Sequence, residues 1–219
     1  MKIKPFTRLS PALLVAGPAL LLCACSILPR QPPVQLWQPP QGPIASPTQV
    51  GDFSLRVETP SASGLVGDRG ILVTQPSGEV SVYAGARWSE APELFVRHRL
   101  VDAFLAAHLP AVTTEDDSLF TNYTLEGDLR AFQTEYRDGA PVVVVRYEAQ
   151  LHRSGRHVPL ATRSFRVDER PTGAEVPQIV AAFGRADDRL AQEVVAWTIA
   201  TVHAQPDLPA TPGRRLLGR

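Results

Sequence analysis

Apolar and polar residues alternate in short stretches ahead of residue 90, and the alternation predicts β-strands there. Residues 53–57 place an apolar side chain at every second position, which is the pattern of a strand with one buried face. Two apolar runs, 71–73 and 80–83, flank the Pro-Ser-Gly sequence at 76–78, which favours a turn. The pattern therefore predicts three strands before the first helix.

Three longer segments after residue 120 also have the composition of strands. Residues 123–136 alternate, residues 142–151 are rich in β-branched side chains, and residues 158–167 repeat the pattern. The first two segments are separated by Asp-Gly at 138–139 and the last two by Ser-Gly at 154–155. Such dipeptides are typical of tight hairpin turns, so we expect an antiparallel meander.

Two other segments carry apolar residues at intervals of three and four, the spacing of amphipathic helices. The first begins near Ser89, its predicted N-cap, and ends before Pro110, whereas the second covers about 174–202. The predicted order is β-β-β-α-β-β-β-α. This order favours an α+β fold, with two amphipathic helices packed on one face of a largely antiparallel sheet in a single domain.

The first residues have the organisation of an export signal. Basic residues precede an uncharged apolar run over 11–24, which is too short to span a bilayer permanently. Residues 22–25 (Leu-Cys-Ala-Cys) are similar to a bacterial lipobox. We predict that 1–24 is a lipoprotein signal peptide and that Cys25 is the lipidated first residue of the mature chain. The alternative is an ordinary cleaved signal followed by an unpaired cysteine.

The flanks of the folded part are rich in proline. Residues 25–49 are predicted to form an extended tether from the lipidated cysteine. Leu36 and Trp37 lie inside it, and they either dock on the domain or belong to the linker. The folded domain is predicted over 50–203, and residues 204–219 are predicted to be a flexible tail.

The charge balance argues against a nucleic-acid partner. Lysine plus arginine and aspartate plus glutamate both number 22, and every charge in the predicted signal is basic, so the mature chain is slightly acidic. Such a chain has no basic footprint for nucleic acid. Two acidic groups, 115–117 and 187–188, lack the alternating oxygens of a calcium loop and are predicted to be solvated.

The sequence contains no catalytic or metal-ligand motif of established spacing, so no cofactor and no enzymatic activity are expected. His152 and His157 flank the Ser-Gly turn and are predicted to be exposed hairpin residues. His98 and Asp102 are one helical turn apart, the spacing of a surface ion pair.

Residues 87–92 (Arg-Trp-Ser-Glu-Ala-Pro) lie where a predicted strand passes into the first helix. Trp88 at this joint has two interpretations. It fills the space between sheet and helix, or it docks a partner, since Trp and Arg are frequent in interface hot spots. The sequence favours the first interpretation and leaves the second open.

The same motif carries a family resemblance. Over about residues 50–203 the chain resembles the ABC-type transport auxiliary lipoproteins, the PqiC-like components of MCE (mammalian cell entry) lipid-transport systems. The family's Leu-Asp-Arg-x-x-Ile-Val sequence is similar to residues 67–73, its Arg-Trp-Ala-Glu-Pro sequence to residues 87–92, and its closing helix to residues 180–197. The resemblance therefore picks out, for partner docking or structure, Asp68, Arg69, Arg87, Trp88, Glu90 and Trp197.

The resemblance implies a non-enzymatic accessory subunit. A permease and an ATPase of the inner membrane would supply energy, and an MCE-domain protein would form a hydrophobic conduit across the periplasm. The lipoprotein, anchored through Cys25, would dock and align that conduit. Ser26 after Cys25 implies by analogy that the anchor lies in the outer membrane, and the resemblance also implies a homo-oligomer in the form of a ring. The alternatives are a lipid-anchored hydrolase using His98 or His152 and a ligand-binding lipoprotein with an apolar pocket.

Overall fold

The computed structural model describes residues 33–44, 51–156 and 158–205. The predicted signal peptide, Cys25 and residues 206–219 of the predicted tail lie outside the described residues. The helices are α1 (Pro92–Ala106) and α2 (Val176–His203), and a 3-10 turn covers Gly64–Gly67. The strands are β1 (Gln35–Trp37), β2 (Ser54–Val57), β3 (Ser61–Ala62), β4 (Gly70–Thr74), β5 (Val80–Trp88), β6 (Ala111–Thr114), β7 (Tyr123–Arg137), β8 (Ala140–Arg153) and β9 (Ala161–Glu169).

The two longest strands, β7 and β8, form an antiparallel hairpin at the centre of the sheet. They pair along their whole length, with one irregularity after Leu129. The turn residues Asp138 and Gly139 have φ values of 51° and 77°, the left-handed conformation that a two-residue hairpin turn requires. Because β9 continues antiparallel on β8, the predicted meander is confirmed.

The other strands make the sheet mixed. β2, β3 and β4 each pair with β7 in the parallel direction, and β2 also pairs in parallel with β6. β2, β3 and β4 precede α1, whereas β6 and β7 follow it. The chain therefore returns to the sheet through a helical crossover, which produces parallel neighbours. The α+β class is confirmed, and the antiparallel order holds for β4–β5 and β7–β8–β9. The parallel pairings and the short strands β1, β3 and β6 were not predicted.

Both helices pack against the sheet and enclose the core. α2 lies on β8 and β9, and α1 lies beside α2 and against β2 and β6. The buried residues of α2 recur at intervals of three and four, as in Ile179, Phe183, Leu190 and Val194, and each such large apolar side chain contributes about 1.5–3 kcal/mol on burial. Among the described residues, no helix is both long enough and apolar enough to cross a membrane.

Each helix begins slightly later than the sequence predicts. α1 begins at Pro92 with Ala91 at its N-cap, whereas the predicted N-cap Ser89 donates its N–H to the Trp37 carbonyl at 2.8 Å and so extends the pairing of β1 with β5. α2 begins after Glu175, whose side chain forms a capping box with Gln178. These differences leave the predicted helices and their buried faces unchanged.

Candidate functional site

Residues 34–44, called the arm below, lie on the folded domain. β1 pairs in parallel with the end of β5, so that Trp37 lies beside Trp88. The prediction of an extended tether over 25–49 is therefore wrong for the arm, and of the two alternatives for Leu36 and Trp37 the structure has docking on the domain. The folded part starts before residue 50. The reason is local: residues 34–38 contain no proline, so their N–H groups can pair with a neighbouring strand.

Trp88 is fully buried where the arm meets the domain. Its indole contacts the rings of Phe95, Phe132 and Phe183 edge-on, with centroids 5.0–5.8 Å apart. These rings come from α1, β7 and α2, so one side chain joins both helices to the sheet. Trp88 fills the joint between sheet and helix, and the partner-docking interpretation is wrong for this residue.

An ion pair between the two helices holds the arm. Arg99 of α1 and Asp188 of α2 approach to 2.5 Å, and 3% of the Arg99 side chain is exposed. The Gly42 N–H donates to Asp188 Oδ2 at 3.0 Å, and the Gly42 carbonyl accepts from Arg99 Nη2 at 2.7 Å. A buried ion pair is stable only when its remaining polar atoms are hydrogen-bonded, and the Gly42 peptide groups supply part of that bonding.

A second contact fixes the arm against α2. The Pro40 backbone lies directly on Gly184, so a Cβ atom at position 184 would overlap the Pro40 carbonyl oxygen. Glycine inside a helix costs about 0.5–1 kcal/mol relative to alanine. The close approach of the arm gives this position a reason to be glycine.

Asp187 is buried beneath the arm. It is 5% exposed, its Oδ1 has no hydrogen-bond partner among the described residues, and it lines a space of about 10 Å³ with Gln38–Gln41 of the arm. Burial and the neighbouring Asp188 charge raise the pKa of Asp187 to about 7, although Arg99 acts in the opposite direction. The prediction that 187–188 are solvated is wrong, because both carboxyl groups face the junction of the arm with the helices.

Four of the predicted site residues meet where β4 and β5 pair. Asp68 and Arg87 form an ion pair of 3.6 Å with both side chains more than half exposed, and the Arg69 carbonyl accepts from the Trp88 N–H at 2.8 Å. The resemblance motifs at 67–73 and 87–92 are therefore neighbours in the fold. An ion pair this exposed contributes about 0–1 kcal/mol to stability, so its side chains are available to a partner.

The remaining two predicted site residues lie elsewhere. Glu90 is 3.5 Å from His98, so the predicted partner of His98, Asp102, is replaced by a residue that precedes α1. Trp197 lies on the side of α2 that faces β9, where its ring contacts Phe165 edge-on at 5.7 Å. Trp197 therefore contributes to the packing of α2 on the sheet.

The histidine predictions have mixed outcomes. His152 is 7% exposed, and its Nε2 lies 3.8 Å from Glu126, so the prediction of an exposed hairpin residue is wrong for His152. The reason is that β8 continues through His152, which pairs with Thr124 of β7. His157 lies outside the described residues. In the described part of the chain, no three His, Cys, Asp or Glu side chains gather as a metal-binding group.

The contacts that hold the arm were missed in the sequence. A usable signal was the position of Arg99 in the apolar stripe of α1, between the buried residues Val96 and Leu100. A charged residue at such a position needs a buried partner. The partner itself, Asp188, could not be chosen from the sequence, since Asp187 and Asp188 are adjacent.

Comparison with known families decides the identity of the domain. The model of a family described as "ABC-type transport auxiliary lipoprotein component" matches residues 35–195. The chain belongs to this family. The match begins at the first residue of β1, so the arm is part of the domain of this auxiliary lipoprotein. The members of this family are described as lipoprotein components of ABC-type transport, and lipoproteins belong to the cell envelope.

Individual proteins and solved structures are similar to the chain in sequence or in fold. The auxiliary lipoprotein is 25% identical to the solved structure of protein XCC0632 from Xanthomonas campestris, with a TM-score of 0.72 over 78% of this chain and 97% of that one. It is 29% identical to uncharacterized protein bll6063 of Bradyrhizobium diazoefficiens over 68% of this chain and 40% of that protein, so it spans less than half of that relative. Hypothetical protein CT253 from Chlamydia trachomatis shares the fold, with 7% identity, a TM-score of 0.50, and 71% and 100% of the two chains covered.

Proposed function

We propose that the protein is a non-enzymatic subunit of an MCE-type transport system that moves phospholipid or other hydrophobic molecules between the inner and outer membranes. A lipid on Cys25 holds it at the periplasmic face of the outer membrane. Its direct partner is the MCE-domain protein, and it serves the permease and ATPase of the same system indirectly. Its action is to dock and align the MCE conduit at the membrane, and a homo-oligomer suits that action.

The docked arm is the observation that carries this proposal. The arm begins about nine residues after Cys25, so its start lies within roughly 30 Å of the anchor. A free segment up to residue 50 would allow roughly 85 Å. An alignment role needs a domain held at a limited distance from its membrane, and the Arg99–Asp188 contacts with Gly42 supply that limit.

The surface beside the arm supports docking. β5 pairs with β4 on one side, and β1 pairs on the other side at Ala86–Trp88. In the described part of the chain, no strand pairs with that second side over Val80–Gly85. Val80 and Val82 are about half exposed on this strand, and the exposed Asp68–Arg87 pair lies at its far end. An edge strand with apolar side chains and free backbone groups can accept a strand or loop of a protein partner.

A lipid-anchored hydrolase is the alternative function, and a simple experiment distinguishes it from the proposed accessory role. Among the described residues, the side chains that contact His98 through a hydrogen bond or an ion pair are Glu90 and Arg97, and the one that contacts His152 in this way is Glu126. None of these is a Ser, Cys or Thr nucleophile that a histidine base would activate. Thr124 lies opposite His152 in the strand pairing, but its hydroxyl lies 3.4 Å from Ser154 Oγ, and His152 Nε2 has no hydrogen-bond partner among the described residues. An accessory subunit therefore does not depend on either imidazole.

The proposal is tested by complementation of a deletion strain, with envelope resistance to detergent and vancomycin as the readout. His98→Ala and His152→Ala should restore resistance fully, because neither imidazole performs chemistry. Cys25→Ala should fail although the protein is exported, because the anchor is lost. Loss of function in a histidine variant that accumulates to the wild-type level would support the hydrolase instead.

A further inference from the structure

The arm is attached by few contacts, and one of the groups that it covers is a buried acid. We propose that the arm is a releasable strap, which detaches from the domain when Asp187 loses its proton. The release lengthens the segment between the lipid anchor and the domain. The detachment concerns the arm and Asp187 alone and needs no transport partner, whereas its effect on reach rests on the proposed lipidation of Cys25.

The geometry makes the arm separable from the rest of the fold. Its strand pairs over three residues, and the Trp37 carbonyl accepts from the Ser89 N–H. The other contacts of the arm are the Gly42 hydrogen bonds and the packing of Trp37, Pro40 and Ile44. The sheet below it stays intact without β1, because β5 keeps its pairing with β4. Detachment therefore exposes the junction and leaves the core strands paired.

The arm keeps water from Asp187. Gln38–Gln41 line one side of the small space in front of this carboxyl group, and Gly184 lies at its edge. The space of about 10 Å³ is at the lower limit for a single water molecule. Because Asp187 Oδ1 has no hydrogen-bond partner among the described residues, a charge on this carboxylate is poorly compensated while the arm is docked.

The charged neighbours add to this effect. On α2 the neighbour is Asp188, and on α1 it is Arg99, which is already paired with Asp188. His98 of α1 and Glu90 before it line the same space and pair with each other. The arm residues Gln38–Gly42 carry no charge. If Asp187 is ionised, its carboxylate therefore lies beside that of Asp188 and has no cation paired with it.

The direction of the response follows from proton linkage. In the docked state burial, and then the Asp188 charge, raise the pKa of Asp187 to about 7. Once the arm leaves, the carboxyl group meets water and its pKa returns toward the ordinary value of about 4. Because the released state binds the proton less tightly, raising the pH from about 5.5 to 8.5 should favour release, by at most about 30-fold.

Release changes the reach of the domain. The segment from Cys25 to the domain grows from about nine residues to about 25, which raises its maximal length from roughly 30 Å to roughly 85 Å. It also uncovers the edge of β5 at Ala86–Trp88, where β1 was paired. The strap thus determines both how far the domain extends from its membrane and whether this strand edge is available.

Hydrogen exchange of the detergent-solubilised full-length protein tests the proposal. Protection factors of peptides from the arm, corrected for the intrinsic rate at each pH, should fall by about tenfold or more between pH 5.5 and 8.5. Peptides from β8 and α2 should keep their protection and so report that the fold is intact. An arm with equal protection at both pH values would overturn the proposal.

Two neutral variants separate Asp187 from other titrating groups. Asp187→Asn and Asp187→Leu should keep the arm protected at pH 8.5, the second as a check in case the amide disturbs packing. Asp116→Asn, which changes a carboxylate that is 79% exposed in its side chain, should respond to pH as the wild type does. A pH-dependent loss of arm protection that persists in both Asp187 variants would contradict the strap.

Discussion

The backbone N–H of Gly42 donates to the carboxylate of Asp188 at 3.0 Å, joining two positions that are 146 residues apart in the chain. This bond connects the segment nearest the predicted lipid anchor to the middle of α2. Arg99 completes the arrangement by binding both partners. The link between anchor and domain is therefore a buried polar junction.

Arg99→Met should lower the free energy of unfolding by about 3–5 kcal/mol, because it leaves Asp188 buried without its cation and beside Asp187. Urea unfolding of the full-length protein, followed by circular dichroism, measures this cost. The double variant Arg99→Met/Asp188→Leu should recover much of it, since a buried pair replaced by apolar side chains is often neutral. A cost below about 1 kcal/mol for Arg99→Met would show that the pair is not buried as described.

Gly184→Ala should detach the arm while the helix itself is favoured. Alanine in place of glycine stabilises a helix by about 1 kcal/mol, but its Cβ would overlap the Pro40 backbone. Chymotrypsin should therefore cleave after Trp37 at least tenfold faster than in the wild type. Ala200→Gly, at an exposed position of the same helix, is the control that weakens α2 and leaves cleavage unchanged. Equal cleavage of Gly184→Ala and wild type would rule out the contact.

Trp88→Ala should destabilise the protein by about 3–5 kcal/mol, the usual cost of removing a large buried aromatic side chain. Its neighbour on the same strand, Arg87, gives a matched comparison. Arg87→Ala removes an exposed ion pair with Asp68 and should cost less than about 1 kcal/mol. Thermal unfolding of Trp88→Ala and Arg87→Ala under identical conditions compares the two losses of stability. Comparable losses would mean that Trp88 is not the centre of the core.

Asp168→Asn should weaken the fold at neutral pH and have no effect in acid. Partial burial raises the pKa of Asp168, but hydrogen bonds from Arg137 and Arg166 outweigh it and hold the pKa below its ordinary value. A depressed pKa contributes stability above about pH 4, and that contribution is lost as the pH falls further. Because the Asp168 side chain is about one-third exposed, we expect the substitution to lower the free energy of unfolding at pH 7 by about 0.5–1 kcal/mol. Urea unfolding of the wild type and the variant at pH 7 and pH 2.5 measures this loss of stability. An equal loss at both pH values would contradict the ion pairs of Asp168 with Arg137 and Arg166.

The helical pattern predicted the face of α2 correctly but not the state of its acids. Asp187 stands four residues after Phe183 and three before Leu190, which is the spacing of the buried stripe. The acidic side chain of Asp187 predicted a solvent-exposed position, whereas its spacing from Phe183 and Leu190 predicted a buried one. Spacing was decisive because the arm covers this position of α2, and a local pattern does not contain a covering segment that is distant in the chain.

For the strands too, the local features were predictable from the sequence and the long-range neighbours were not. The Asp138-Gly139 turn fixed the β7–β8 pair, because the turn chemistry is local. The parallel partners of β7 could not be derived, since alternation reports which face a residue occupies and not which strand lies beside it. Proline content misled us about β1, where three pairing residues between two proline pairs were enough to form a strand.

Co-purification from native envelopes tests the central claim most directly. The tagged full-length lipoprotein, solubilised in mild detergent, should recover the MCE-domain protein together with the permease and ATPase, as identified by quantitative mass spectrometry. An unrelated outer-membrane lipoprotein with the same tag is the control and should recover none of them. Recovery of no transport subunit above this control, from cells that express the system, would contradict the proposed role.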